Sequence, residues 1–174
     1  LLLLVLAALL AMAWAAAIVV PPRQPAPPPS PARPDNVFVD LAGLVSEQFA
    51  RDTSIRLYAI RLLEGVVYID RAAPSGALQP WTVRTATVWS IGTEREDRGI
   101  VLFVFSEPRI ARVEVGYGLE GELPDARVRQ LLETHLVPAF ARGRYEDGIA
   151  AFIEGTYTAL GGEAAWTRHV QAAA

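Results

Sequence analysis

The sequence predicts an α/β fold in which a mixed sheet is covered by helices on both faces. Three short runs carry the strand signal: residues 66–69 are mostly β-branched, residues 100–105 are apolar without a break, and residues 110–115 alternate apolar and charged side chains. The unbroken run is typical of a central strand covered on both faces. The tight connection between the last two runs predicts a hairpin. The helical pattern between the first two predicts a parallel crossover.

Helical patterns precede and separate the first strands. A helix is predicted from an N-cap at Ser46 to residue 64, and Gly65 is expected to end it. Its apolar face is formed by Ile55, Tyr58, Ala59 and Leu62. A second helix is predicted over residues 79–91, closed by Gly92. Before the first helix, residues 36–43 form a short extended segment.

Two further helices are predicted after the hairpin. Apolar residues at helical spacing follow Pro124, and Pro138 is expected to kink or end that helix because proline lacks a backbone donor. The last helical face runs from Tyr145 to Leu160. The folded domain is therefore assigned to residues 36–161, with a tail at 162–174.

Residues 1–20 carry no charge and are long enough to span a bilayer as a helix. They fit either a cleaved signal peptide or an uncleaved transmembrane anchor. Both alternatives predict an exported protein at the cell membrane, in the periplasm or at the cell surface. The membrane is then a partner through this segment.

The segment that follows, residues 21–35, is rich in proline and cannot form a helix or a central strand. It predicts an extended polyproline II spacer that would hold the domain about 40 Å from the membrane, at roughly 3.1 Å per residue. Docking to a proline-recognition module is the alternative for this linker.

Composition excludes several classes of function. The net charge is −3 and no run of Lys or Arg occurs, so a nucleic-acid partner is not expected. Cysteine is absent, which removes disulfides and thiolate metal sites. The glycines of residues 116–121 match G-x-G-x-x-G, but no further strand follows the next helix, so no nucleotide cofactor is predicted.

The hairpin brings two acidic loops together. If Phe105 pairs with Ile110, antiparallel pairing places Asp97 opposite Gly118, so the loops at 94–97 and 120–125 lie at the same end of the sheet. Carboxylates and carbonyls of glycine-rich backbone are the ligands that Ca²⁺ prefers. The alternative is that some of the 19 acidic residues lie in neighbouring loops without binding anything. Asp70 is expected at the far end.

Several blocks resemble the TPM domain family. They are V-D-L-A-G-L-V-S at 39–46, W-S-I-G at 89–92, E-D-R-G-I-V-L-F-V at 96–104, R-V-E-V-G-Y-G-L-E-G-E-L-P-D-A at 112–126 and P-A-F-A-R-G-R-Y-E-D-G at 138–148. The resemblance implies a three-layer α/β/α sandwich, usually exported or membrane-tethered. It also implies binding of a divalent cation, typically calcium. Plant relatives have acid phosphatase activity, and other members are accessory factors of membrane complexes.

By motif position, the resemblance implies four acidic cation ligands: Asp40, Asp97, Glu120 and Asp125. The chain departs from the family pattern at two positions. Arg98 stands where the family commonly has Asn, and Arg144 stands where an Asp often precedes the tyrosine. A cation beside a metal loop weakens metal binding electrostatically.

Two functions follow from this reading. The preferred one is a cation-binding interaction or accessory module for membrane proteins of the cell envelope, since an anchor and spacer suit a partner near the membrane. The alternative is a metal-dependent acid phosphatase that acts on phosphomonoesters, in which the carboxylates hold the cation. No nucleophile or general acid is evident, and no catalytic residue is assigned.

Overall fold

A computed structural model describes residues 28–60, 63–92 and 96–161. Its centre is a four-stranded sheet in the order β1-β2-β3-β4, in which β1, β2 and β3 are parallel and β4 is antiparallel to β3. The strands are β1 Phe38–Asp40, β2 Glu64–Asp70, β3 Gly99–Phe105 and β4 Ile110–Val115. The parallel crossover and the hairpin are therefore confirmed.

Among the described residues, five α-helices surround the sheet: α1 Glu47–Ala59, α2 Leu78–Val88, α3 Asp125–Leu131, α4 Val137–Phe140 and α5 Tyr145–Ala159. None of the helices in the described ranges is long and apolar enough to cross a membrane. The predicted anchor at 1–20 and the predicted tail at 162–174 lie outside those ranges.

The sheet separates two hydrophobic clusters, because alternate residues of a strand point to opposite faces. On β3, Ile100, Leu102 and Val104 belong to one cluster, together with residues of α1, α3 and α5. Their neighbours Val101, Phe103 and Phe105 belong to the other cluster, with Trp81 of α2 and Trp89. Helices therefore pack on both faces. The unbroken apolar run of β3 reflects burial on both sides, as the sequence predicts.

Several element boundaries differ from the sequence prediction, including that of the second helix, which ends at Val88 with its C-cap at Trp89 rather than at residue 91 before Gly92. Residues 38–40 form a true strand, so the sheet has four strands rather than three. The first helix ends at Ala59 instead of residue 64, and Glu64 begins β2. Gly65 is a buried strand residue whose added Cβ would lie 3.1 Å from a methyl group of Leu57, so it serves close packing rather than helix termination.

The predicted apolar face of the first helix is wrong for Ile55, Tyr58 and Ala59, which are exposed, and Leu62 lies outside the described residues. Ile55 is 68% exposed and Tyr58 is 60% exposed, whereas Thr53 and Leu57 are buried. Thr53 belongs to the buried stripe because its short side chain fits against the sheet layer. Because threonine is small and polar, the sequence pattern does not indicate its burial.

Pro138 interrupts the helical layer as the sequence predicts. A π-helical turn, Leu132–Leu136, separates α3 from α4, and the amide of Val137 donates to the carbonyl of Leu132. Because proline clashes with the carbonyl four residues earlier, the wider turn gives the chain room to continue.

Residues 28–34 of the proline-rich linker lie against the domain. The indole nitrogen of Trp89 donates to the carbonyl of Pro31 at 2.9 Å, and the Oγ1 of Thr85 lies 3.0 Å from the Oγ of Ser30. This half of the linker is therefore docked, and the expected free spacer of about 40 Å does not hold for it.

Candidate functional site

Two loops meet at the end of the sheet where β3 begins and β4 ends. We call residues 96–99 and 116–125 the loop pair; residues 94 and 95 of the predicted acidic loop lie outside the described residues. The predicted register is confirmed, since Phe105 pairs with Ile110. The amide of Gly116 donates to the carbonyl of Gly99 at 2.7 Å, and the amide of Gly118 donates to the carbonyl of Asp97 at 3.1 Å.

Asp97 ties the two loops together with its side chain. Its carboxylate Oδ2 accepts the backbone N–H of Tyr117 at 2.9 Å. Its backbone φ is +44°, a left-handed conformation that Asp adopts more readily than most residues. Among the described residues, no hydrogen bond is made to the Oδ1 atom of Asp97, which therefore keeps its acceptor capacity.

The loop-pair glycines serve close approach between backbones. A Cβ added at Gly116 would lie 2.2 Å from the carbonyl oxygen of Asp97, and one at Gly118 would lie 1.7 Å from that of Glu96. Gly116 has a φ of −68°, so it does not need the left-handed freedom of glycine. An added Cβ at Gly121 would meet nothing within 4 Å.

Arg98 occupies the loop pair with a forked contact. Its Nη1 and Nη2 donate to the two carboxylate oxygens of Glu122 at 2.6 and 3.2 Å, and Nη1 also donates to the carbonyl of Gly118 at 3.2 Å. The hydrogen bond from Arg98 lowers the pKa of Glu122. The ion pair therefore stabilises the folded state fully at a pH above the ordinary pKa of Glu122. This stabilisation is lost as the pH falls through the lowered pKa.

The other two loop-pair candidates face solvent. Glu120 caps a short 3₁₀ turn, Tyr117–Leu119, and Asp125 begins α3 directly after Pro124. Both side chains are exposed, and neither makes a hydrogen bond or ion pair within the described ranges.

Asp40 lies at the opposite end of the sheet. It pairs with Ile69 near the end of β2, and Asp70 ends the same strand opposite Phe105. At about 3.3 Å per strand residue, Asp40 is roughly 20 Å from Asp97. Its carboxylate accepts the amides of Ala42, Gly43 and Val45 at 2.8–3.0 Å, which closes the turn before α1. The structure therefore separates Asp40 from the other three candidates.

The oxygen donors of the loop pair are the type of ligand that a hard cation such as Ca²⁺ prefers, but they are too few to surround one. Within the described ranges, no three His, Asp or Glu side chains converge to hold a metal ion. Arg98 adds a positive charge and engages both Glu122 and the carbonyl of Gly118. A calcium ion bound here would keep most of its six to eight ligands as water.

A groove of about 440 Å³ runs from the loop pair along the space between α2 and β4. Its walls include Val83 and Thr87 of α2, Glu114 of β4, Asp97 and Tyr117. The groove could not be predicted from the sequence, because the alternation of β4 shows that Glu114 leaves the apolar face but does not show which side chains it contacts.

Glu114 joins β4 to α2 through a buried hydroxyl. Its Oε1 lies 2.6 Å from the Oγ1 of Thr82, which is fully buried, and accepts the Nε and Nη2 of Arg112 at 3.2 Å. Of these three side chains, Glu114 lines the groove.

The structure belongs to a class of α/β domain in which two acidic, glycine-containing loops lie side by side at the end of a mixed sheet opposite the hairpin turn. The family model of the TPM domain matches residues 40–159. The chain therefore belongs to the TPM domain family.

One solved structure similar to this chain is the solution NMR structure of the N-terminal domain of a protein from P. gingivalis. It is 30% identical, and the match covers 73% of this chain and 83% of that chain, with a TM-score of 0.66. No curated relative matches the chain.

Proposed function

We propose that this TPM domain is a non-enzymatic interaction module of the cell envelope, which contacts partner proteins through the loop pair and its groove. The observation that supports this most directly is the side chain of Tyr117, which is 79% exposed. It projects from a loop fixed by the bond between its own amide and Asp97. An exposed aromatic side chain on a rigid support is typical of protein-binding surfaces.

The location in the envelope rests on the sequence. Residues 1–20 have the uncharged, apolar character of a signal peptide or a membrane anchor. A domain attached to such a segment meets its partners outside the cytoplasm, in the periplasm or at the cell surface.

A divalent cation, with Ca²⁺ as the first candidate, is proposed as a modulator of this surface. The donors available are Oδ1 of Asp97 and the carboxylates of Glu120 and Asp125. A bound cation would neutralise carboxylates next to Tyr117 and change the charge that a partner meets. With few protein ligands, we expect a Kd of about 10⁻⁴–10⁻³ M, as in weak extracellular calcium modules.

Calcium is expected to raise the melting temperature of residues 21–174 by about 4 °C at ten times the Kd, since binding there stabilises by about 1.4 kcal/mol. Glu120→Gln and Asp125→Asn should each reduce this shift, because each removes a charged donor. Glu107→Gln, at the opposite end of the sheet, is the matched control and should keep it. Thermal melting with and without calcium checks the prediction, and a parent protein that does not respond would refute the calcium site.

Arg98→Asn is expected to tighten calcium binding about tenfold, or about 1.4 kcal/mol. The change removes a positive charge and frees both Glu122 and the carbonyl of Gly118 as oxygen donors. Calorimetric titration measures it. Arg71→Asn, an exposed arginine at the far end of the sheet, tests for a general effect of net charge. Equal gains in the two variants would contradict a local role of Arg98.

The phosphatase alternative is tested with a phosphomonoester such as p-nitrophenyl phosphate. If the domain is non-enzymatic, the parent protein, Glu120→Gln and Asp125→Asn should all show the same background rate of hydrolysis. Hydrolysis lost in both variants but kept in Glu107→Gln would overturn the non-enzymatic assignment.

Contact with a partner protein is tested by placing a photo-crosslinking residue at position 117 or at position 107. We expect a crosslinked adduct in envelope fractions from position 117 and none from position 107.

A further inference from the structure

The proline-rich segment at residues 28–34 makes a set of specific contacts with the face of the domain opposite α1. The indole of Trp89 donates to the carbonyl of Pro31, and the hydroxyls of Thr85 and Ser30 are 3.0 Å apart. Arg33 donates to the carbonyl of Trp89 at 2.8 Å and forms an ion pair with Glu64. The two residues in each of these contacts are separated by 31 to 58 positions in the sequence, so proximity along the chain does not impose the contacts.

Three prolines of the segment at a spacing of three residues are partly buried. Pro28, Pro31 and Pro34 are half-buried, as is Ser30 beside Thr85, whereas Pro29 and Ala32 are exposed. A polyproline II helix has three residues per turn, so residues i, i+3 and i+6 lie on one face. In a polyproline II conformation, Pro28, Pro31 and Pro34 would therefore share the face that lies against the domain.

The segment reaches this conformation at low entropic cost. Proline fixes its own φ, and each residue before a proline is restricted to extended conformations. Within 28–34, only Ala32 escapes both restrictions. A preordered ligand loses little freedom on binding, which is the basis of polyproline recognition by aromatic-lined grooves. An indole N–H that donates to a proline carbonyl suits that mode of binding.

Glu64 makes the site selective for a ligand that carries a positively charged side chain two positions after the bound proline, as Arg33 does here. One of its carboxylate oxygens pairs with Arg33, and the other accepts the amide of Gly92 at 2.9 Å. The amide bond fixes the carboxylate, and the fixed carboxylate faces the guanidinium. The surface therefore recognises both the proline carbonyl and an arginine two positions later.

We propose that Trp89, Thr85 and Glu64 form a binding site for a proline-rich polyproline II segment that carries an arginine, and that residues 28–34 are its ligand in cis. Only residues 35–37 separate the segment from β1, so its effective concentration at the site is in the millimolar range or above. A site of weak intrinsic affinity is then filled in cis, and it becomes available to other proline-rich chains when the linker leaves.

The test uses the full chain in detergent micelles and two matched double variants. Pro31→Ala with Arg33→Ala changes the docked face and the ion pair. Pro29→Ala with Ala32→Ser changes the exposed face and loosens the backbone to a similar degree. The ¹⁵N–¹H resonance of the Trp89 indole reports docking, and the probe is a synthetic peptide with the sequence of residues 28–34.

We expect the docked-face variant to shift the Trp89 indole resonance and to bind the peptide at least about tenfold more tightly than the parent, with the resonance restored on binding. The exposed-face variant should behave as the parent. If the docked-face variant fails to fold, Ser30→Ala gives the same test through the loss of one hydroxyl contact.

Failure of the peptide to bind a folded docked-face variant, or equal binding to both double variants, would overturn the site. A parent indole resonance that moves with protein concentration would overturn the cis assignment in favour of exchange between two copies of the chain.

Discussion

Gly116→Ala is expected to lower the free energy of unfolding by about 3 kcal/mol, the upper end of the usual cost of overpacking. An added Cβ would lie 2.2 Å from the carbonyl oxygen and 2.8 Å from the carboxylate Oδ1 of Asp97. Because the nearer atom is backbone, no side-chain rotation relieves the clash. The loops must separate, and the bond from the Tyr117 amide to Asp97 is lost with them. Urea unfolding and thermal melting check the result, with a fall in melting temperature of about 10 °C.

Gly121→Ala is the matched control within the same loop pair. Its Cβ would meet nothing within 4 Å, so we expect a free energy of unfolding within about 0.5 kcal/mol of the parent, or a small gain from the reduced freedom of the unfolded chain. Gly116→Ala should also abolish any calcium response, whereas Gly121→Ala should keep it. Equal stability of the two variants would show that close approach of the loops is not what Gly116 provides.

Three of the four strands could be predicted from the sequence because their signals are local and strong, whereas the three-residue β1 is too short to show a pattern. The period-two alternation of 110–115 and the tight connection before it determine the register of the hairpin, since a slip of one residue would turn every side chain to the wrong face. That register alone places Asp97 opposite Gly118. The fold and the location of the loop pair therefore follow from patterns within single segments.

Side-chain partners could not be predicted in the same way. The pairing of Arg98 with Glu122 joins residues 24 positions apart, and no spacing rule brings them together. Asp40 matches the family motif, yet its carboxylate closes a turn at the opposite end of the sheet. The linker shows the same limit, because proline fixes its local conformation but does not determine which surface it contacts.

Glu114→Ala is expected to lower the free energy of unfolding by about 2 kcal/mol. The carboxylate accepts from Arg112 and lies 2.6 Å from the hydroxyl of Thr82, and its side chain is only 16% exposed. Its loss leaves the half-exposed guanidinium of Arg112 without this acceptor and removes a link between β4 and α2. Breaking a fully buried pair typically costs about 3–5 kcal/mol, and partial exposure of Arg112 reduces that figure. Urea unfolding measures the change.

A matched control and a double-mutant cycle with Arg112 separate the effect of the lost charge from that of the lost packing. Glu107→Ala, an exposed glutamate in the turn after β3, should change stability by less than about 0.5 kcal/mol. Glu114→Ala combined with Arg112→Met should be less destabilised than the sum of the single changes, because the second change removes the charge that the first leaves unpaired. Strict additivity would contradict an energetic link between Glu114 and Arg112.

Glu114 lies on the groove wall and outside the loop pair. Its variants should therefore change the groove but keep the thermal response to calcium. They allow the effect of the groove on partner contact to be measured separately from cation binding.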